Sequence, residues 1–152
     1  MTVNGRRFTS GTIPFGATVD VTRGAIVLMT TTGTLRVTGA GGATAAFKLF
    51  RGTDRGKPIV ELGLVKGDFG VCPERRRSGA SQVVRAVWGD GKGEFRTGGR
   101  SSSATVRGAR WLTADRCDGT LTRVARGRVE VRLFRSNRIV IVPAGYSYLA
   151  KP

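Results

Sequence analysis

The chain has 152 residues, of which 26 are Lys or Arg, 10 are Asp or Glu and none is His, for a formal charge of +16. Without His, the usual proton shuttle and the common catalytic triads are excluded, and two cysteines are too few for a zinc site. No apolar run reaches the roughly 18 residues of a membrane-spanning helix, and the first residues, Met1 to Gly5, carry no apolar signal-peptide core, so a secreted form is expected to be a mature chain or an excised domain.

Gly is frequent, at 23 residues, and no long segment has apolar residues at helical spacing. Thr12-Ile13-Pro14-Phe15-Gly16 reads as a turn into a strand. Strands are expected at Ala17–Val21, with Val19 and Val21 on one face, and at Ala25–Thr31, with Ile26 and Leu28 on one face. Leu35–Thr38 is a short strand and Gly39–Gly42 a flexible turn. Ala45–Phe50 alternates Phe47 and Leu49 against Lys48 and Phe50. Thr53–Lys57 reads as a polar loop before Ile59–Val65, a strand with Val60, Leu62 and Leu64 on one face.

Cys72-Pro73-Glu74-Arg75-Arg76-Arg77-Ser78-Gly79 reads as an exposed linker. Beyond it, Val83–Trp88 resumes strand character and Gly89-Asp90-Gly91-Lys92-Gly93 reads as a turn on its Asp-Gly signal. Glu94–Thr97, Ala104–Arg107 and Arg110–Thr113 are expected as short strands. Leu121–Ala125 and Arg128–Phe134 are expected to form a hairpin about Arg126-Gly127. Arg138–Val142 and Tyr146–Ala150 close the chain around a Pro143-Ala144-Gly145 turn. The resulting organisation is an N-terminal β lobe (1–71), an Arg-rich linker (72–82) and a C-terminal β lobe (83–152), which together can form one compact unit. The fold class is all-β, with short strands and hairpins in a solenoid-like or two-sheet, sandwich-like arrangement.

A skeleton recurs along the chain. Val21-Thr22-Arg23-Gly24-Ala25-Ile26-Val27-Leu28 aligns with Val124-Ala125-Arg126-Gly127-Arg128-Val129-Glu130-Val131, and Val106-Arg107-Gly108 is a shorter copy. In each copy the glycine is expected to supply the positive φ of a tight turn, as is Gly145.

Cys72 and Cys117 either pair or stay as buried thiols. An even count in a Gly- and Thr-rich β chain favours a disulfide and an oxidising compartment, extracellular or at the cell surface. Arg outnumbers Lys by 21 to 5. Arg suits bidentate contacts to phosphate, sulfate or carboxylate better than Lys does. Residues 1–71 carry 9 basic and 4 acidic groups and residues 72–152 carry 17 and 6, so a basic footprint is expected mainly on the second half. The candidate polyanion contacts are Arg75, Arg76 and Arg77, and Arg126, Arg128 and Arg132, which alternation could set as a ladder on one sheet face. The alternative is that the arginines are compositional and solvated.

The second half carries Ala104-Thr105-Val106-Arg107-Gly108-Ala109-Arg110-Trp111-Leu112-Thr113, then Arg126-Gly127-Arg128-Val129-Glu130-Val131, and ends on Val142-Pro143-Ala144-Gly145-Tyr146. This resembles the FecR domain, with its T-x-V-R-G-T-x-F-x-V strand, G-x-V-x-V hairpin and closing A-G turn; residue 109 is Ala where that pattern usually has Thr. Ile13-Pro14-Phe15-Gly16-Ala17-Thr18-Val19-Asp20, Val87-Trp88-Gly89-Asp90-Gly91-Lys92-Gly93 and Asp115-Arg116-Cys117-Asp118-Gly119 are similar to a secreted actinobacterial variety of these modules. The resemblance implies an all-β extracellular module with no catalytic set.

Other constellations carry less. Asp90 and Glu94 flank a Gly-rich segment with too few oxygen ligands for a calcium loop. Trp111 reads as core, Trp88 as core or a stacking surface, and Tyr146 and Tyr148 as a pair on one strand face. No cofactor, metal or sequence-specific nucleic acid is expected. Three functions follow: a non-enzymatic extracellular structural or adhesion module for anionic envelope polymers, a self-assembling filament subunit using edge-strand pairing, or a FecR-type sensor domain.

Overall fold

A computed structural model describes residues 1–73 and 81–152. The chain is all-β. Its strands are β1 (Thr2–Val3), β2 (Arg6–Arg7), β3 (Thr18–Asp20), β4 (Ala25–Thr30), β5 (Gly33–Gly39), β6 (Ala46–Asp54), β7 (Lys57–Val65), β8 (Val83–Gly98), β9 (Ser102–Arg116), β10 (Gly119–Arg126), β11 (Arg128–Leu133), β12 (Ile139–Pro143) and β13 (Ser147–Ala150). A 3₁₀ turn at Phe69–Val71 is the one helical element among the described residues.

The spine is the antiparallel pair β8–β9, 16 and 15 residues long. The Gly89–Gly93 segment, expected as a turn, is the middle of β8, and Ala104–Arg107 and Arg110–Thr113, expected as separate strands, are both part of β9. Inner-face glycines explain the difference. A Cβ on Gly91 would lie 2.2 Å from the Thr34 carbonyl oxygen, and one on Gly89 would lie 2.8 Å from the Trp111 ring. These glycines serve close approach within a sheet rather than chain reversal. A register shift between Lys92 and Phe95, with Gly93 at φ 100° and Gly108 at φ 119°, bends the pair at mid-length.

The bend divides the sheet into two arms. A six-stranded arm runs β4–β5–β8–β9–β10–β13, and a nine-stranded arm runs β2–β1–β3–β6–β7–β8–β9–β11–β12. Every pairing between these strands is antiparallel except β7–β8, and an isolated parallel bridge joins Thr44 to Arg85. Leu35, Val37, Trp111 and Val124 from the first arm and Val19, Phe47, Leu62, Phe95, Val129 and Val131 from the second bury into one core. Strands from both halves of the sequence therefore share that core.

The Val-x-Arg-Gly skeleton marks where the chain passes between the arms. β3 and β4 do not pair with each other, and neither do β10 and β11. The expected hairpin about Arg126-Gly127 is thus a corner: β10 pairs with the second half of β9 and β11 with the first. Gly127, at φ 81°, nests so closely that a Cβ would stand 2.7 Å from the Gly108 carbonyl oxygen. Gly145 also has positive φ, but Gly24 does not; it closes a turn by donating its N–H to the Val21 carbonyl. Gly108 lies inside β9, so it makes a bend rather than a turn. The Thr53–Lys57 loop contracts to the two residues Arg55-Gly56, both at positive φ, between β6 and β7.

Cys72 and Cys117 form a disulfide. Closing a loop of 45 residues stabilises the fold by roughly 3–4 kcal/mol on the chain-entropy account. Beside it, the fully buried Asp115 carboxylate accepts from Arg85 Nε at 2.7 Å, the Arg100 N–H at 2.9 Å and the Thr120 hydroxyl at 2.7 Å. This network locks the β8–β9 turn onto the start of β10.

Gly91→Ala is expected to cost more than about 3 kcal/mol, because the methyl meets backbone rather than a movable side chain. Gly98→Ala, whose nearest neighbour would be 3.7 Å away, is expected to be tolerated. Urea unfolding of the two variants checks this, and equal stabilities would refute the packing argument.

Candidate anion-binding face

The outer face of the six-stranded arm is built by alternation. Leu35, Val37, Ala109 and Trp111 point inward, so Arg36 on β5, Asp90 on β8 and Arg110 on β9 point out. Register sets Arg36 opposite Asp90, Asp90 opposite Arg110, and Arg110 opposite Arg126. The adjoining row is Thr38, Trp88, Leu112 and Arg123, and the next is Ala86, Ala114, Leu121 and Leu149. Lys92 stands opposite Thr34 at the other end.

This face therefore carries Arg36, Lys92, Arg110, Arg123 and Arg126 with Asp90, and Arg116 with its partner Asp118 at one end. Arg126 Nη2 reaches Asp90 at 2.6 Å, while the Arg110 guanidinium sits 5.2 Å from the centre of the half-buried Trp88 ring. That stacking leaves the outer edge of the guanidinium to solvent. Arg36, Arg110 and Arg123 have no ion-pair partner among the described residues.

The nine-stranded arm holds more of the ion pairs, although Lys48, Lys57 and Arg128 on it have none among the described residues. Its outer face pairs Arg55 with Glu130 at 3.2 Å, Arg96 with Asp54 at 3.5 Å and Glu61 at 3.9 Å, and Arg107 with Glu94 at 3.6 Å. Arg128 and Arg132 lie on this face with Glu130 between them, and Arg132 donates to Asn137 Oδ1 at 2.8 Å. The expected ladder of Arg126, Arg128 and Arg132 is thus split between two arms by the corner at Gly127. Arg75, Arg76 and Arg77 fall outside the described residues.

A pocket of about 480 Å³ opens on the six-stranded face. Ala86, Leu112, Ala114 and Leu121 make its floor, the Ala40–Ala43 loop its wall, and Arg116 and Arg123 stand at its rim. Arg116 is held by Asp118, Nε to Oδ1 at 2.8 Å. A second, larger groove of about 750 Å³ runs along the free edge of β4 and is lined by Phe8, Ile13, Phe15, Leu28 and Met29.

The remaining sequence candidates are placed as follows. Trp111 is fully buried and donates its indole N–H to Thr97 Oγ1 at 3.0 Å. Tyr148 packs on the core while Tyr146 is exposed, so the two do not act as a pair. Asp90 and Glu94 are each taken by an arginine. Compared with known proteins, the chain matches no family model, no curated protein and no solved structure.

Arg36 and Lys92 were not singled out by the sequence. Arg36 comes from the first half of the chain, and Lys92 from the segment read as a turn. The signal for Lys92 was present: Trp88, Asp90 and Lys92 alternate with Gly89, Gly91 and Gly93, a period of two with glycine on the inner face.

Among the described residues two carboxylates have lowered pKa values. Partial burial works against the charge on Asp20, but the Thr22 hydroxyl and N–H and the nearby Lys66 outweigh it. The Arg116 guanidinium lowers Asp118 below its ordinary value of 3.8. A depressed folded pKa contributes stability that is complete above that ordinary value and is lost as pH falls through the folded one. Thermal stability is expected to decline below about pH 4, and D20N/D118N to decline less steeply between about pH 5 and 2. Identical slopes in melts across this range would rule out the two pairs as contributors.

Proposed function

We propose that this is a non-enzymatic extracellular structural or adhesion module that holds anionic polymers of the cell envelope against the outer face of the six-stranded arm. The observation that carries the reading is a cluster on this arm's outer face: Arg36, Lys92, Arg110 and Arg123 have no ion-pair partner among the described residues and lie on adjoining strands beside a pocket. Eight of the 10 acidic residues are held in ion pairs, so the positive excess has little internal partner left. The choice of Arg over Lys favours planar acid groups. The disulfide supports an oxidising compartment, and the FecR-like resemblance supports an extracellular setting. Among the described residues no helix is long and apolar enough to cross a membrane.

Immobilised anionic polymers test the reading. Binding is expected at low salt and is lost as salt is raised, since each released counterion adds to the salt dependence. The variant R36E/R110E/R123E is expected to weaken it by more than about tenfold. The matched variant R107E/R128E/R132E on the other arm is expected to do much less. Equal losses, or no binding by the unmodified chain at low salt, count against the proposal.

A second reading, a self-assembling filament subunit, is favoured by the free edges. β12 pairs with β11 alone and turns Ile139 and Ile141 outward, while β4 pairs with β5 alone beside the apolar groove. Docking one copy's β12 on the next copy's β4 would be heterologous and open-ended. Light scattering is expected, on this reading, to show large particles that persist in high salt and disperse in Ile141→Lys; a monomer at all concentrations removes it.

A further inference from the structure

We infer that the pocket beside Arg123 is an anchoring subsite for a carboxylated sugar ring, so that the preferred polymer is an acidic polysaccharide of the uronate type rather than a phosphate chain. The inference rests on the reading of this face as anion-binding and adds the chemistry of the bound unit.

The pocket, at about 480 Å³, falls within the usual range of small-ligand sites, roughly 300–1,000 Å³. Its composition has two parts. The floor is apolar and flat, because Ala86 and Ala114 face each other in register and Leu112 and Leu121 flank them. The wall, Ala40-Gly41-Gly42-Ala43, is low because it has almost no side chains. The rim is cationic. Of its two guanidiniums, Arg116 is occupied by Asp118, and Arg123 is exposed with no ion-pair partner among the described residues.

A ligand must satisfy both parts. A phosphate chain is charged along its whole length and would gain nothing from the apolar floor, which it would only desolvate. A pyranose ring differs: it offers a face of C–H groups to Leu112 and Leu121 while its hydroxyls stay at the wet edge. A carboxylate on the ring lies near the ring plane, where the planar Arg123 fork meets it with two parallel hydrogen bonds. Trp88, next to Leu112 in the sheet and capped by Arg110, continues the same combination of apolar surface and cation along the row. The neighbouring unit of a chain would meet it there.

The probes are polygalacturonate and polyphosphate of matched chain charge, titrated at low salt against the whole chain. The unmodified protein is expected to bind polygalacturonate about tenfold more tightly. Ala43→Trp fills the pocket from a loop and leaves the charge unchanged. It is expected to abolish that preference by weakening polygalacturonate alone. Arg123→Gln, an exposed position with no role in the core, is expected to weaken polygalacturonate about tenfold. If both polymers bind equally, or if polygalacturonate binding survives both variants, the subsite is wrong while the anion-binding face stands. If neither polymer binds the unmodified protein, the anion-binding reading itself fails and takes the subsite with it.

Discussion

The indole of Trp111 lies flat against Gly89, where any Cβ would come within 2.8 Å of the ring. Gly91 lets β5 approach in the same way, and Gly93 and Gly108 bend the two long strands where they cross from one arm to the other. The largest buried side chain therefore occupies space that a glycine row leaves empty. Its N–H finds Thr97 Oγ1, which in turn lies 2.7 Å from the Thr113 hydroxyl. Burial of so large a group is favourable only if its single polar atom is satisfied, and this pair of threonines meets the condition. The arms share one core because the spine bends around that ring.

Charge is distributed by the same geometry. Alternation sends every second residue outward, and the bend decides which outward residues become neighbours. On the nine-stranded arm Asp54, Glu61, Glu94 and Glu130 fall among the arginines and pair with them. On the six-stranded arm Asp90 and Asp118 do so. Exposed ion pairs contribute little to stability, about 0–1 kcal/mol each, so the placement of these charges matters for the field outside the protein more than for the fold. On the six-stranded face it leaves Arg36, Arg110 and Arg123 without ion-pair partners among the described residues, beside a pocket.

The disulfide and Asp115 close the open end of the spine. Cys117 joins β9 to β10, and its bond to Cys72 ties that hairpin to the segment after β7. Asp115 holds the Gly99–Ser102 turn through the Arg100 N–H and β10 through the Thr120 hydroxyl. Arg85 and Arg100 both cover the Phe69 ring, at 5.1 and 4.0 Å from its centre. The pocket sits next to this braced region, which sets the Val83 and Arg116 side of its lining.

Much of the strand pattern was legible in the sequence because it rests on local alternation. Val19 and Val21, Ile26 and Leu28, Phe47 and Leu49, and Val60, Leu62 and Leu64 all face the core as their period-two spacing requires. The pairing of Cys72 with Cys117 needed only an even count, and the all-β class only the composition. The Gly89–Gly93 segment misled because Asp-Gly favours a turn locally, whereas the choice between turn and strand depends on whether another backbone arrives alongside. The Arg126-Gly127 corner was read as a hairpin for the same reason: two strands joined by Arg-Gly look alike whether they pair with each other or with two halves of a third. What the sequence determined by itself is which residues face inward, since that depends on neighbours two positions away. Which outward residues share a face was decided by the tertiary structure alone, since Arg36, Arg110, Arg123 and Arg126 meet only through the registers of β5, β8, β9 and β10, which long-range packing sets.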